Sequence, residues 1–149
     1  MERKKYGNDF KMGEIFTTRG ITVTESHLVN WAGLTMDFYA IHMDKEFAAK
    51  SQFGERLAHG PLIFALAVGL VGMSQYGQDS VIAWLGVNNM KMLQPVKIGD
   101  TIHVEVEVID QKVTKDPAKG VQTWRYSVIN QRGEKVLVFD YLMIFHMRT

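Results

Sequence analysis

The stretch from Gly60 to Met73, "GPLIFALAVGLVGM", carries no charged side chain. Pro61 suits the first turn of a helix, where its missing N–H has no acceptor to lose. Leu62, Ile63, Phe64, Leu66, Val68, Leu70 and Val71 then fall on every side of that helix. A helix apolar all round belongs at the centre of a domain. It is also too short to cross a bilayer, which takes roughly 20 apolar residues. Gly69 and Gly72 leave room for a neighbouring backbone, and Gly77 is placed to end the element.

The flanking sequence says what wraps this helix. Upstream, Glu14 to Val23 is rich in Ile, Phe, Thr and Val and reads as a strand. Thr24 then caps a helix running to about Thr35, with Leu28, Trp31, Ala32 and Leu34 expected on its inner face. Asp44 caps a shorter helix over "DKEFAAKS", its carboxylate accepting first-turn N–H groups and Phe47 and Ala48 turned inward. Downstream the chain turns strand-like. Val81 to Leu93 is one run, "PVKIGD" a turn, and in "TIHVEVEVIDQKV" Ile102, Val104, Val106 and Val108 alternate with polar residues. Val121 to Asn130 and Lys135 to His146 follow, joined by the "QRGE" turn. Half-polar strands do not suit a parallel sheet buried on both faces. The class is α+β, an antiparallel sheet wrapped around one long apolar helix.

Composition narrows the function. At 149 residues, 46% hydrophobic and 22% charged, one domain over residues 1–149 is expected. The opening "MERKKYGNDF", residues 1–10, reads as a flexible tail. A net charge of +1 gives no reason to expect nucleic acid or a membrane surface as partner. With no cysteine, disulfides, thiolate metal sites and a cysteine nucleophile are excluded. No apolar signal segment follows the basic N-terminus, so a reducing, cytoplasmic setting is expected.

The chemistry gathers just before the apolar helix. Asp37 and His42 lie on an irregular link between two helices, where a rigid scaffold commonly presents reactive groups. A carboxylate and an imidazole together can hold and polarise one water molecule. Gly60 opens the long helix, where backbone N–H groups lack acceptors and the dipole is positive. A carbonyl oxygen gaining negative charge would be stabilised there.

The pattern Asp37, Phe38, Ile41-His42, Asp44, Phe47-Ala48, Phe53-Gly54 and Ala58-His59-Gly60 resembles the MaoC-like dehydratase family, which includes the (R)-specific enoyl-CoA hydratases. "MKMLQPVKIGDTIHVEVEV", Met90 to Val108, is similar to a later part of the same family. The resemblance implies a hot-dog fold, homodimers or larger assemblies, and reversible syn addition of water across a trans-2-enoyl thioester. It implies Asp37 and His42 as the catalytic pair and Gly60 as the oxyanion donor. Tyr39, Ile41, His59 and Ala65 are the implied pocket residues, with His59 chiefly ordering its turn through hydrogen bonds. No separate cofactor is implied, because the substrate itself carries coenzyme A or an acyl-carrier pantetheine. Two departures stand out. Tyr39-Ala40 replaces the family's Asn-Pro, and Ala65 stands where several family hydratases carry serine, so an altered acyl preference is expected.

Other readings compete. Asp37, His42 and His59 make a two-histidine, one-carboxylate set, but no ligand spacing on a regular element supports a metal, and none is expected. A hot-dog thioesterase needs a carboxylate placed to attack or activate water at the carbonyl carbon, often on the long helix, and the absence of an acid from Pro61 to Met73 argues against hydrolysis. A catalytically silent subunit or acyl-binding module would need neither Asp37 nor His42. Arg56, Lys91 and Lys97 are read as solvated charge rather than coenzyme A ligands. The nine methionines, Met36, Met43, Met90 and Met92 among them, are read as filler rather than an acyl tunnel.

Overall fold

The computed structural model describes residues 5–149. Two short strands, β1 (Ile15–Thr17) and β2 (Ile21–Thr22), occupy the segment expected as one. Helix α1 (Glu25–Thr35) follows, then a single turn α2 (Ala40–Met43), then α3 (Lys45–Ala49). The long helix is α4 (Gly60–Met73). Four long strands complete the chain: β3 (Val81–Met92), β4 (Thr101–Val113), β5 (Lys119–Ile129) and β6 (Lys135–His146).

The strands form one antiparallel sheet in the order β1-β4-β5-β6-β3, with β2 also paired to β4. The period-2 pattern sets the register. Val104 and Val106 of β4 lie opposite Val128 and Tyr126 of β5, all four buried on the face that receives α4. From the helix side Leu62, Ile63, Ala67, Leu70 and Val71 are buried in the same core. Phe64 meets Phe139 of β6 edge to face, ring centroids 4.9 Å apart at 68°. This is the hot-dog arrangement, and the α+β expectation holds.

Several local expectations do not. Leu34 is exposed, because α1 buries only Leu28 and Ala32 and ends one turn later at Met36, whose left-handed φ of 66° reverses the chain. Phe47 is also exposed, leaving Ala48 as the buried residue of α3, although Asp44 caps that helix as read, accepting from the Phe47 N–H at 2.9 Å. The tail is docked from Lys5 onward. Phe10 is buried, packing edge-on against Trp124, and Lys5 lies over the Phe10 and Tyr76 rings and pairs with Glu14. The rest of that tail, residues 1–4, lies outside the described residues.

α4 is not covered all round within this chain. Gly69, Gly72 and Met73 are exposed along one stripe, and no heavy atom lies within 4 Å of where a Cβ on either glycine would sit. The edge strand β3 exposes Ile82, Trp84, Leu85, Met90 and Met92. Its pairing with β6 breaks register between Val81 and Ala83, between Trp84 and Gly86, and between Asn88 and Lys91. In the last break Asn89 adopts a left-handed φ of 54° and donates its amide to buried Asp140 at 2.9 Å.

Candidate active site

The link before α4 builds the site by clamping α2. Leu57 donates its N–H to the Ile41 carbonyl at 3.2 Å, and Arg56 donates Nε–H to the His42 carbonyl at 2.6 Å. The other end of the Arg56 guanidinium reaches Glu25 at the start of α1, also at 2.6 Å. Arg56 is thus a tie between α1 and α2 rather than solvated charge, and its side chain is only 14% exposed. Lys97 pairs instead with Glu55 at 2.9 Å. The segment carrying His42 is helical for one turn, where the sequence reading gave an irregular link.

These clamps fix the imidazole. His42 Nδ1 lies 2.7 Å from the Leu57 carbonyl oxygen, which can only accept, so Nδ1 carries the hydrogen. In the neutral ring the lone pair is then on Nε2. By the same reasoning His59, whose Nε2 is 3.0 Å from the Asp37 carbonyl oxygen, carries its hydrogen on Nε2. The two rings are stacked, centroids 4.0 Å apart and planes 27° from parallel.

A carboxylate oxygen of Asp37 and one ring nitrogen each of His42 and His59 all lie within 4.8 Å of one another. The fold therefore brings together Asp37 and His42 as expected from sequence. A metal is poorly served by this cluster, because stacked imidazoles direct their in-plane lone pairs side by side rather than at one point. His59 itself is fully buried, and burial lowers its pKa from the ordinary histidine value. The bond to the Asp37 carbonyl opposes that shift, and the neighbouring His42 adds to it.

Gly60 is the first residue of α4, so its N–H has no acceptor within the helix. It directly follows His59, whose ring touches both Asp37 and His42 surroundings. Glycine has a local reason here, since it precedes Pro61 while already helical, a conformation that a Cβ disfavours. Met92 of β3 closes the other side, its Cγ 3.6 Å from where a Gly60 Cβ would sit.

The four implied pocket residues are not gathered in one cavity. Tyr39 is 75% exposed and lines, with Thr35, Met36, Asp37, Phe38 and Ala40, an open groove of about 490 Å³. Ile41 and Ala65 are half-buried on α2 and α4, and His59 lies beneath His42 without reaching the surface. The sequence reading missed Arg56 as part of the site. Only the knowledge that residues 56–58 run beside α2 would have revealed it.

The family model described as MaoC like domain matches residues 9–131, and the chain belongs to this family. A solved structure described as a monoamine oxidase regulatory protein, from Archaeoglobus fulgidus, superposes with a TM-score of 0.91 at 36% identity, covering 97% of this chain and 96% of the other. The chain is 36% identical over 143 residues to Protein MaoC of Klebsiella aerogenes, spanning 91% of its own length but 42% of that protein. It is 37% identical over 78 residues to the (R)-specific enoyl-CoA hydratase of Aeromonas caviae, spanning 52% of its own length and 56% of that enzyme.

Proposed function

We propose that the chain is a hydratase/dehydratase, a lyase that adds water reversibly across a trans-2-enoyl thioester to give a 3-hydroxyacyl thioester. The observation that carries this reading is the approach of an Asp37 carboxylate oxygen to within 4.8 Å of a ring nitrogen of His42, whose Nε2 is left with a lone pair by the Nδ1 bond to Leu57. The kinship with an (R)-specific enoyl-CoA hydratase supports it.

In the hydration direction, water bridges Asp37 and His42. Its oxygen bonds to the β-carbon of the substrate while one of its protons passes to His42 Nε2. The π electrons move toward the thioester oxygen, which as an enolate oxygen accepts from the Gly60 N–H at the positive end of α4. The imidazolium then returns its proton to the α-carbon from the same face, restoring the neutral ring. Asp37 accepts the second water proton as a hydrogen bond and orients the attack. The thioester substrate, on coenzyme A or an acyl-carrier pantetheine, is the only group required, with no separate cofactor and no metal. A chain without cysteine suits a reducing compartment, and we assign the reaction to the cytoplasm.

The acting unit we propose is a homodimer. β3 exposes a row of large apolar side chains along an unpaired edge, and a second copy laid against it would cover them.

The test is to mix the protein with crotonyl-CoA, then with branched, aromatic and dicarboxylic enoyl thioesters, following the conjugated absorbance and free thiol together. Loss of absorbance without thiol is the expected result. Thiol release would instead mean hydrolysis, although α4 offers no acid for it. No change across the panel would favour a silent acyl-binding subunit.

A further inference from the structure

His59 is the one ionisable side chain of the site that solvent does not reach, since its relative exposure is zero. A group so enclosed does not meet a substrate. It nevertheless touches both halves of the reacting pair. Its Nε2–H reaches the Asp37 carbonyl at 3.0 Å, and its ring lies on His42 with centroids 4.0 Å apart.

We propose that His59 is the positioning residue of the site: by donating to the main chain of Asp37 while lying flat against His42, it fixes how far the carboxylate stands from the base. This inference rests on the hydration reading above for its catalytic meaning, and on geometry alone for the placement.

The two contacts ask for different properties of one side chain. Stacking on His42 needs a planar face. Holding the Asp37 loop needs an N–H donor at the rim of that face. Phenylalanine supplies the first without the second, and glutamine the second without the first. Asp37 sits on the stretch between α1 and α2 with few other ties: its N–H makes only a 3.3 Å contact to Thr35 Oγ1, and one carboxylate oxygen accepts from the Tyr39 N–H at 3.4 Å. Both are long for hydrogen bonds. The His59 bond is therefore the firmest of the hydrogen bonds that hold Asp37 itself. His42, by contrast, is held by its own bond to Leu57 and by Arg56.

The role also needs His59 to stay uncharged. The titratable and charged groups that face it are Asp37 from the α1–α2 stretch, His42 from α2 and Arg56 from the link before α4. An imidazolium at His59 would be buried, beside Arg56, and stacked on the ring that must itself become cationic during turnover. Both the burial and those two cations oppose it. His59 therefore remains the neutral support of the stack.

The experiment has two parts. The first is a nitrogen-detected imidazole NMR titration of the unmodified protein. The expected result is an Nδ1–H ring for His42 and an Nε2–H ring for His59, with His59 still neutral below the ordinary histidine value. A His59 ring that protonates at the ordinary histidine value, or that carries its hydrogen on Nδ1, overturns the proposal. The second part measures kcat and KM on the best enoyl thioester for His59→Phe and His59→Gln. His59→Phe should lose about 100-fold in kcat with KM nearly unchanged, the scale expected when reacting groups shift by about 1 Å. His59→Gln should recover about tenfold of that loss and stay below the wild-type kcat, because it restores the donor to Asp37 but not the planar face. Wild-type kcat in both variants overturns the proposal. Should His59→Phe not fold, the His59→Gln rate and the tautomers decide: a His59→Gln enzyme at full wild-type kcat, or the wrong tautomer, overturns it. If the unmodified protein hydrates nothing in the panel, the hydration reading fails separately, and the titration still decides whether His59 is the neutral support.

Discussion

The Arg56 guanidinium joins the carbonyl of His42 to the carboxylate of Glu25, 2.6 Å from each. One side chain thereby sets the pitch of the helical turn that carries the imidazole. Arg56→Met keeps the aliphatic stem and removes both bonds. The expected result is a fall in kcat of about tenfold or more with a modest drop in Tm, since a loosened base is a misaligned one. Arg56→Lys should rescue only in part, because an ammonium cannot donate in two fixed directions. An unchanged kcat in Arg56→Met would show that the turn holds itself.

Asp37→Asn and His42→Ala each remove one hand from the attacking water. Each should lower turnover by at least about 100-fold, a typical loss for acid–base catalysis. Thermal unfolding should move far less, because neither side chain belongs to the buried core. Near-normal rates in both variants would end the assignment of roles.

Tyr39 stands at the lip of the groove beside Asp37, mostly exposed, where it can meet an acyl chain without supporting the fold. Tyr39→Ala should leave Tm within about a degree and change the ratio of kcat/KM between short and long or aromatic enoyl thioesters by about tenfold or more. A uniform change across all substrates would place Tyr39 outside the acyl path.

The apolar edge of β3 predicts self-association. Sedimentation should show a dimer for the native chain. Leu85→Glu combined with Ile82→Glu should shift it toward monomer, since a charge cannot be left unpaired in an apolar contact at small cost. A native chain that sediments as a monomer at tens of micromolar would overturn this reading.

Asp140 sets an acid limit to stability. Burial pushes its carboxyl pKa up, but the Arg125 pair at 2.8 Å and the Asn89 amide together outweigh that and hold it below the ordinary value. The folded state therefore binds this proton less readily than the unfolded chain. Its contribution is complete above the unfolded aspartate value of about 3.9 and is lost as pH falls through the folded value. Denaturant midpoints measured from pH 6 downward should drop across that window, and Asp140→Asn should flatten the drop while lowering stability at pH 6. An identical acid slope in the variant would assign the effect to other carboxylates.

Much of this was legible from sequence because it is periodic. Ile102, Val104, Val106 and Val108 alternate, and residues 60–73 form an uncharged block opened by proline, so strand, helix and their layering follow from one-dimensional spacing. The pair Asp37 and His42 was legible as a joint pattern with Ala58-His59-Gly60. What escaped has no period. Leu34 and Phe47 are apolar yet exposed, because which side of a short helix faces inward depends on where the loop after Met36 sends the chain. The docking of Phe10 depends on Trp124 and Phe145, more than a hundred residues away. Arg56 and the His42–His59 stack are likewise products of three-dimensional crossing, invisible to spacing along the chain.

The three register breaks along β3 have a consequence for company. A straight, unbroken edge offers its backbone to any extended chain it meets. An edge broken at Ile82, at Leu85 and at Asn89, the last held by Asp140, presents donors and acceptors at irregular intervals. A stray peptide cannot zip along it, whereas in the proposed dimer a twofold-related strand bearing the same irregularities would meet it in mirrored order. The bends thus act as a filter, discouraging amyloid-like growth while leaving the edge open to its own kind.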